Sequence, residues 1–304
     1  VFAETQTSQF GNFKTVVLTD NGGPVETVAL RADPDNVAID AVTSTLTEDA
    51  RGEARPTDVD SAADGNGLAD IGAYEMAITT TAGPDIIEGT PDDDVLDGGG
   101  GNDRFIGDAG DDTLDGGEGA DWVDYRNSTV AVEAWLDGTT GIGGDADGDE
   151  LINIEHIAGS AYDDRLTGDA GNNILRGGAG ADTLDGGAGK DWADYRDSAE
   201  AVQVFLDGSN LNTGGTAEGD VLIDIELVLG SDYADTLTGD DSNNMFRGGD
   251  GADTLDGGVG SDWASYRDSS EAVTVYLNGT AGSGGTAAGD ELINIEHIAG
   301  SAYD

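Results

Sequence analysis

The chain has 304 residues, a formal net charge of −51, a pI near 4.1, 50 glycines and no cysteine. Acidity on this scale excludes nucleic acid and anionic membranes as electrostatic partners. The absence of cysteine excludes disulfides, thiolate chemistry and Cys-ligated metal centres, and no apolar run is long enough to predict a membrane span. So much like charge, added to the entropy that glycine loses on folding, predicts an expanded chain unless bound cations compensate.

Residues 1–76 hold short β-like runs such as Thr15 to Leu18 and two distinctive segments. One is LTDNGGPVETVALRADPDNVAIDA (Leu18 to Ala41). The other is EDARGEARP (Glu48 to Pro56) followed by DIGAYE (Asp70 to Glu75). Together they resemble the C-terminal end of the right-handed parallel β-helix domains called choice-of-anchor Q, whose ordered motifs DNGGP, AIDAG, D-x-RG-x-RP and DIGA-aromatic-E all have counterparts here. Val42 stands where that family has Gly, RADPDN replaces its Gly-Ser-Pro, and the stretch Thr57 to Ala69 is long and acidic. The resemblance implies further β-helix coils before Val1. Asp58 to Gly67 reads as a solvated acidic turn or a calcium loop, although it lacks EF-hand spacing.

From Ala77 to Asp304 a different pattern takes over, with arrays over 80–124, 159–194 and 230–265 and spacers over 125–158, 195–229 and 266–299. The stretch Gly98 to Asp124 divides into GGGGNDRFI, GDAGDDTLD and GGEGADWVD. Each nine opens on a glycine-rich bend, holds Asp at position 6 and an apolar residue at position 8. A nonapeptide of this form is an established signature of stacked β-helix coils. Six residues of bend and three of strand predict a half-turn, with Phe105, Leu114, Leu175, Leu184, Phe246 and Leu255 facing one thin core. Two nines complete a coil, so residues eighteen apart stack.

Stacking places Asp85, Asp103 and Asp121 in one column, and Asp94 and Asp112 in the other. The later arrays put Asp164, Asn173, Asp182 and Asp191, then Asp235, Asn244, Asp253 and Asp262, at position 6. Stacked carboxylates repel unless a cation separates them. Calcium suits the gap because it accepts six to eight oxygen ligands, carbonyls included. All thirteen residues are therefore predicted metal ligands, the two asparagines offering a neutral oxygen and weaker binding. An Asp/Gly-rich disordered linker is the alternative, but linkers do not keep an apolar residue at a fixed offset.

These nines resemble the RTX, or hemolysin-type, calcium-binding repeats of secreted bacterial proteins. The resemblance implies an all-β fold, a parallel β-roll in three modules of about 70 residues, with Asp side chains and glycine-bend carbonyls holding several Ca2+ ions. It also implies export by a type I system to the extracellular space or cell surface.

The spacers alternate apolar residues (Val130, Val132, Ala134, Leu136 in the first), which predicts a strand with one buried face. They end in ELINIEHIA, VLIDIELVL and ELINIEHIA, nines in phase with the arrays that put Glu155, Glu226 and Glu296 at position 6. This predicts one continuous rod; a separate β element between rolls is the alternative.

The repeats also argue against catalysis. His156 and His297 have Leu227 as their middle counterpart, so a surface histidine is expected. Of Asp145, Asp147 and Asp149 only the last recurs, as Asp220 and Asp290. Trp122, Trp192 and Trp263, with Tyr125, Tyr195 and Tyr266, read as core or cap residues, with glycan stacking the alternative; Arg126, Arg196 and Arg267 are expected to pair with carboxylates. No nucleophile motif, phosphate loop or basic patch appears.

The expected function is a non-catalytic, calcium-folded structural segment of a larger surface or secreted protein: a stalk, adhesin, surface-layer or filament component. Copies of itself, other surface proteins or glycans are candidate partners. The alternative is the calcium-dependent tail of a secreted polysaccharide lyase or epimerase. A chain that starts at Val1 without Met and stops five residues into a further nine is expected to be a piece of a longer protein.

Overall fold

Nearly every strand of the protein is three residues long with its middle residue turned inward, the shortest unit that still has an inside and an outside. In the computed structural model, residues 81–303 are described. The choice-of-anchor Q segments and the Asp58 to Gly67 stretch lie outside them. The described part falls within the unit Thr79–Asp304.

Alternate strands build two opposed faces. One face is a single ten-stranded parallel sheet: Ile86–Glu88, Arg104–Ile106, Trp122–Asp124, His156–Ala158, Ile174–Arg176, Trp192–Asp194, Leu227–Leu229, Met245–Arg247, Trp263–Ser265 and His297–Ala299. Its inward residues stack in register, from Ile87 on Phe105 to Val123 on Ile157 and Ile157 on Leu175. The other face is broken into three shorter parallel sheets, with Leu166 between Ala134 and Leu184 in the middle one. The six position-8 residues Phe105, Leu114, Leu175, Leu184, Phe246 and Leu255 are fully buried. Among the described residues this is a parallel β-roll, all β apart from three short 3-10 turns.

The breaks come from the spacers. After Trp122–Asp124 the chain reaches forward to strand Glu133–Trp135, which pairs with Arg165–Thr167 of the next array. It doubles back through an antiparallel bridge at Ile142 and a 3-10 turn at Gly144–Ala146. Strand Glu150–Ile152 then pairs with Thr113–Asp115 of the array just left. The first two spacers thus each close one sheet and open the next, and the third closes the last, while the ten-stranded sheet runs through all three modules.

The glycine-poor nine of the spacer keeps the expected phase, with Glu155 in the position-6 column and Ile157 in the inward row, but its bend is shorter. In the arrays six residues, such as Gly116 to Asp121, join two strands. In ELINIEHIA the first three residues are themselves a strand, and only Asn153, Ile154 and Glu155 form the bend. Asn153 takes φ 49°, a left-handed conformation that asparagine tolerates better than most residues. Asp224 and Asn294 repeat it at φ 49°. Ile154 is buried where the arrays put a polar residue or alanine.

Candidate metal centre

The bends line up in columns held by a repeated bond. The position-6 backbone N–H donates to the Oδ1 of the position-6 side chain one coil later: Asp85 to Asp103 at 2.9 Å, Asp103 to Asp121 at 2.7 Å, Asp94 to Asp112 at 2.8 Å. In the later arrays Asp164 donates to Asp182, Asn173 to Asp191, Asp235 to Asp253 and Asn244 to Asp262, all at 2.8 or 2.9 Å. The thirteen residues therefore occupy equivalent places, and eighteen-residue neighbours are joined in pairs.

One bond satisfies only one carboxylate oxygen. The Oδ2 atoms of Asp103, Asp112, Asp121, Asp182, Asp191, Asp253 and Asp262 are buried with no hydrogen-bond partner. These side chains are at most 1% exposed. A buried charge with an unpaired oxygen is costly, and a protein answers by protonating the group or pairing it. Burial is the leading cause that pushes Asp112 up to about 7 and Asp182 and Asp253 up to about 8. It raises Asp191 to about 6 by the same route.

Each bend is shaped around this oxygen. A Cβ on Gly98 would lie 2.6 Å from Asp103 Oδ2 and 2.8 Å from the Gly116 carbonyl of the next coil, so only glycine fits. The carboxylate oxygen and a backbone carbonyl thus converge on one cradle. Among the described residues no three His, Cys, Asp or Glu side chains gather at one point. A cation here must take most of its ligands from carbonyls, which fits a hard, oxygen-seeking ion of flexible coordination such as calcium.

The other position-6 residues are satisfied within their own bends. Asp164 Oδ2 accepts from the Ser160 N–H at 2.5 Å, and its Oδ1 accepts from the Ser160 hydroxyl at 2.7 Å and the Val132 N–H at 2.8 Å. Asp235 repeats this with Ser231 and Val202. Asp94 accepts from Thr90, and Asp85 from the Thr81 N–H. Asn173 and Asn244 accept from the N–H groups of Asp169 and Asp240 at 2.9 Å.

Six residues outside the predicted set complete the columns. Glu155 Oε2 accepts from the Asp121 N–H at 2.8 Å, the extra methylene of Glu spanning the shorter bend; Glu226 and Glu296 serve Asp191 and Asp262 alike. In the other column Asp149 Oδ1 accepts from the Asp112 N–H at 3.1 Å, while its Oδ2 takes the buried Tyr125 hydroxyl at 2.8 Å. Tyr195 with Asp220 and Tyr266 with Asp290 repeat the pair. Recurrence of Tyr and Asp at 70 or 71 residues was the available signal. Both oxygens of Asp149 are engaged, so it closes the column without needing an ion.

The aromatic readings divide. The three tyrosines are core. The tryptophans lie on the outer surface of the ten-stranded sheet, Trp122 and Trp192 half-buried and Trp263 36% exposed, because position 7 points away from the core. His156 is buried at 9% exposure and not a surface residue; it sits 4.9 Å from the Trp122 ring and accepts from the Ile174 N–H at 3.1 Å. Burial pushes its pKa down to about 4. Beside this ladder Arg126 pairs with Asp124 at 2.7 Å, and Arg196 with Asp194 at 2.8 Å; Ser265 replaces the aspartate in the third module.

The fold and bends define a parallel β-roll whose turns hold inward-aimed carboxylates and carbonyls. The chain carries RTX calcium-binding nonapeptide repeats: that family matches in four copies, over residues 79–114, 97–126, 158–193 and 229–264. RTX nonapeptide repeats bind Ca2+, several ions across the repeats. A search of the curated proteins found no match.

Proposed function

We propose that this chain is a calcium-folded structural segment of a larger bacterial protein that works outside the cell, as a stalk, adhesin shaft, surface-layer or filament component. The observation that carries the reading is the set of seven buried, unpartnered carboxylate oxygens on a chain of net charge −51. Such a chain repels itself in a calcium-poor compartment and is neutralised where the ion is abundant. Export through a type I system in the unfolded state, followed by folding on arrival, uses that difference. The columns are spread evenly along the roll and converge on no reaction centre, which favours a mechanical role over catalysis.

Protease added to intact producing cells, or assay of their medium, tests the location. The full-length protein is expected to be cleaved or recovered outside. Complete protection inside the cells would contradict the reading.

A further inference from the structure

The thirteen position-6 side chains fall into two classes, and the backbone at position 2 of the same nine sorts them identically. In the seven nines with an unpartnered Oδ2, the second residue has positive φ, from 69° at Asp108 to 101° at Gly178. In the remaining six the second residue is Thr81, Thr90, Ser160, Asp169, Ser231 or Asp240, and none has positive φ. There its N–H turns into the bend and donates to the position-6 oxygen, as from Ser231 to Asp235 Oδ2 at 2.6 Å and from Asp240 to Asn244 Oδ1 at 2.9 Å. Where φ is positive the peptide is turned the other way. The Gly99 N–H instead meets Asp97 Oδ1 of the preceding strand at 2.9 Å, and Gly117 meets Asp115 at 3.2 Å.

Resting on the calcium reading above, we propose that the second residue of each nine decides whether its bend takes a calcium ion. A left-handed residue withholds its N–H and leaves a carboxylate oxygen without a protein partner, open to a cation. A Thr, Ser or Asp in an ordinary conformation supplies the N–H, and in the serine bends a hydroxyl as well, so the bend closes without metal.

The two kinds of bend are not scattered. Each array opens with two self-closing nines, at Asp85 and Asp94, Asp164 and Asn173, and Asp235 and Asn244. Each ends with nines that demand a cation. Every module therefore has a metal-independent entry, docked in the second and third modules on the spacer before it, and a calcium-dependent exit. The entry offers a preformed edge on which the calcium-dependent coils assemble.

The test is bound calcium per chain, measured by equilibrium dialysis at saturation on the full chain and two double variants. Asp182→Asn with Asp253→Asn is expected to lower the count, whereas Asp164→Asn with Asp235→Asn keeps the parent's count. Equal losses in the two variants would overturn the partition and leave the calcium reading standing; a parent that binds no calcium would overturn both. Ser160→Gly with Ser231→Gly, which spares every carboxylate, is expected to bind at least as much calcium as the parent. A lower count there would also overturn the proposal.

Discussion

At the scale of single residues the decisive comparison is between carboxylates with the same burial and different partners. Asp149 and Asp112 stand in one column, joined by a hydrogen bond, but only Asp149 has a tyrosine on its second oxygen. Burial is the main cause that raises Asp149 to about 6 and Asp112 to about 7. Replacing Tyr195 with Phe strips the Asp220 carboxylate of that partner and should cost about 1–3 kcal/mol in calcium, measured by urea denaturation; an unchanged midpoint would show that the hydroxyl contributes nothing. The raised groups also set a pH dependence for the metal-free protein. Asp182 and Asp253 titrate near 8 when folded, against the ordinary 3.8. The folded form holds the extra protons, so their contribution is fully present below about pH 4 and is lost as pH rises through about 8. In chelator, acidification from pH 8 to 5 should therefore increase β signal. In calcium the dependence reverses, because the ion displaces those protons, and the calcium midpoint should rise as pH falls. A midpoint independent of pH between 5 and 8 would contradict protonated, metal-competing carboxylates.

At the scale of strands and bends, stability is a matter of stacking. A three-residue strand has no stability of its own; each coil is held by its neighbours. Leu184 lies between Leu166 and Leu222 in the middle short sheet and is fully buried. Leu184→Ala should cost about 2–5 kcal/mol, seen in the thermal midpoint of the calcium form, and a loss below about 1 kcal/mol would show that the thin core does not carry the roll. The elements differ in how readable they were. Fixed spacing made the inward row and the two columns legible, because position 8 and position 6 are set by period alone. The spacer bend was not, because ELINIEHIA keeps the nine-residue count and its strand at the end while adding a second strand at the front. Only the apolar Ile154 at an inward bend position hinted at this. The outward position of Trp122 was also set by period, since position 7 neighbours the inward position 8, and it is the tyrosine three residues on that holds a core place.

At the scale of the whole molecule, the question is whether the roll stands without metal. Seven unpartnered buried carboxylate oxygens, at about 1–3 kcal/mol each, together cost on the order of 10 kcal/mol. That is comparable with the roughly 5–15 kcal/mol by which folded domains are stable. Self-repulsion from a net charge of −51 acts in the same direction. Calcium at the bends would remove both penalties, and folding and binding are then expected to be one event. Far-UV circular dichroism of the chelated chain during a calcium titration at neutral pH, with magnesium as control, tests this most directly. A cooperative gain of β signal near millimolar calcium, absent with magnesium, is the predicted result. A chain equally folded in chelator would contradict it.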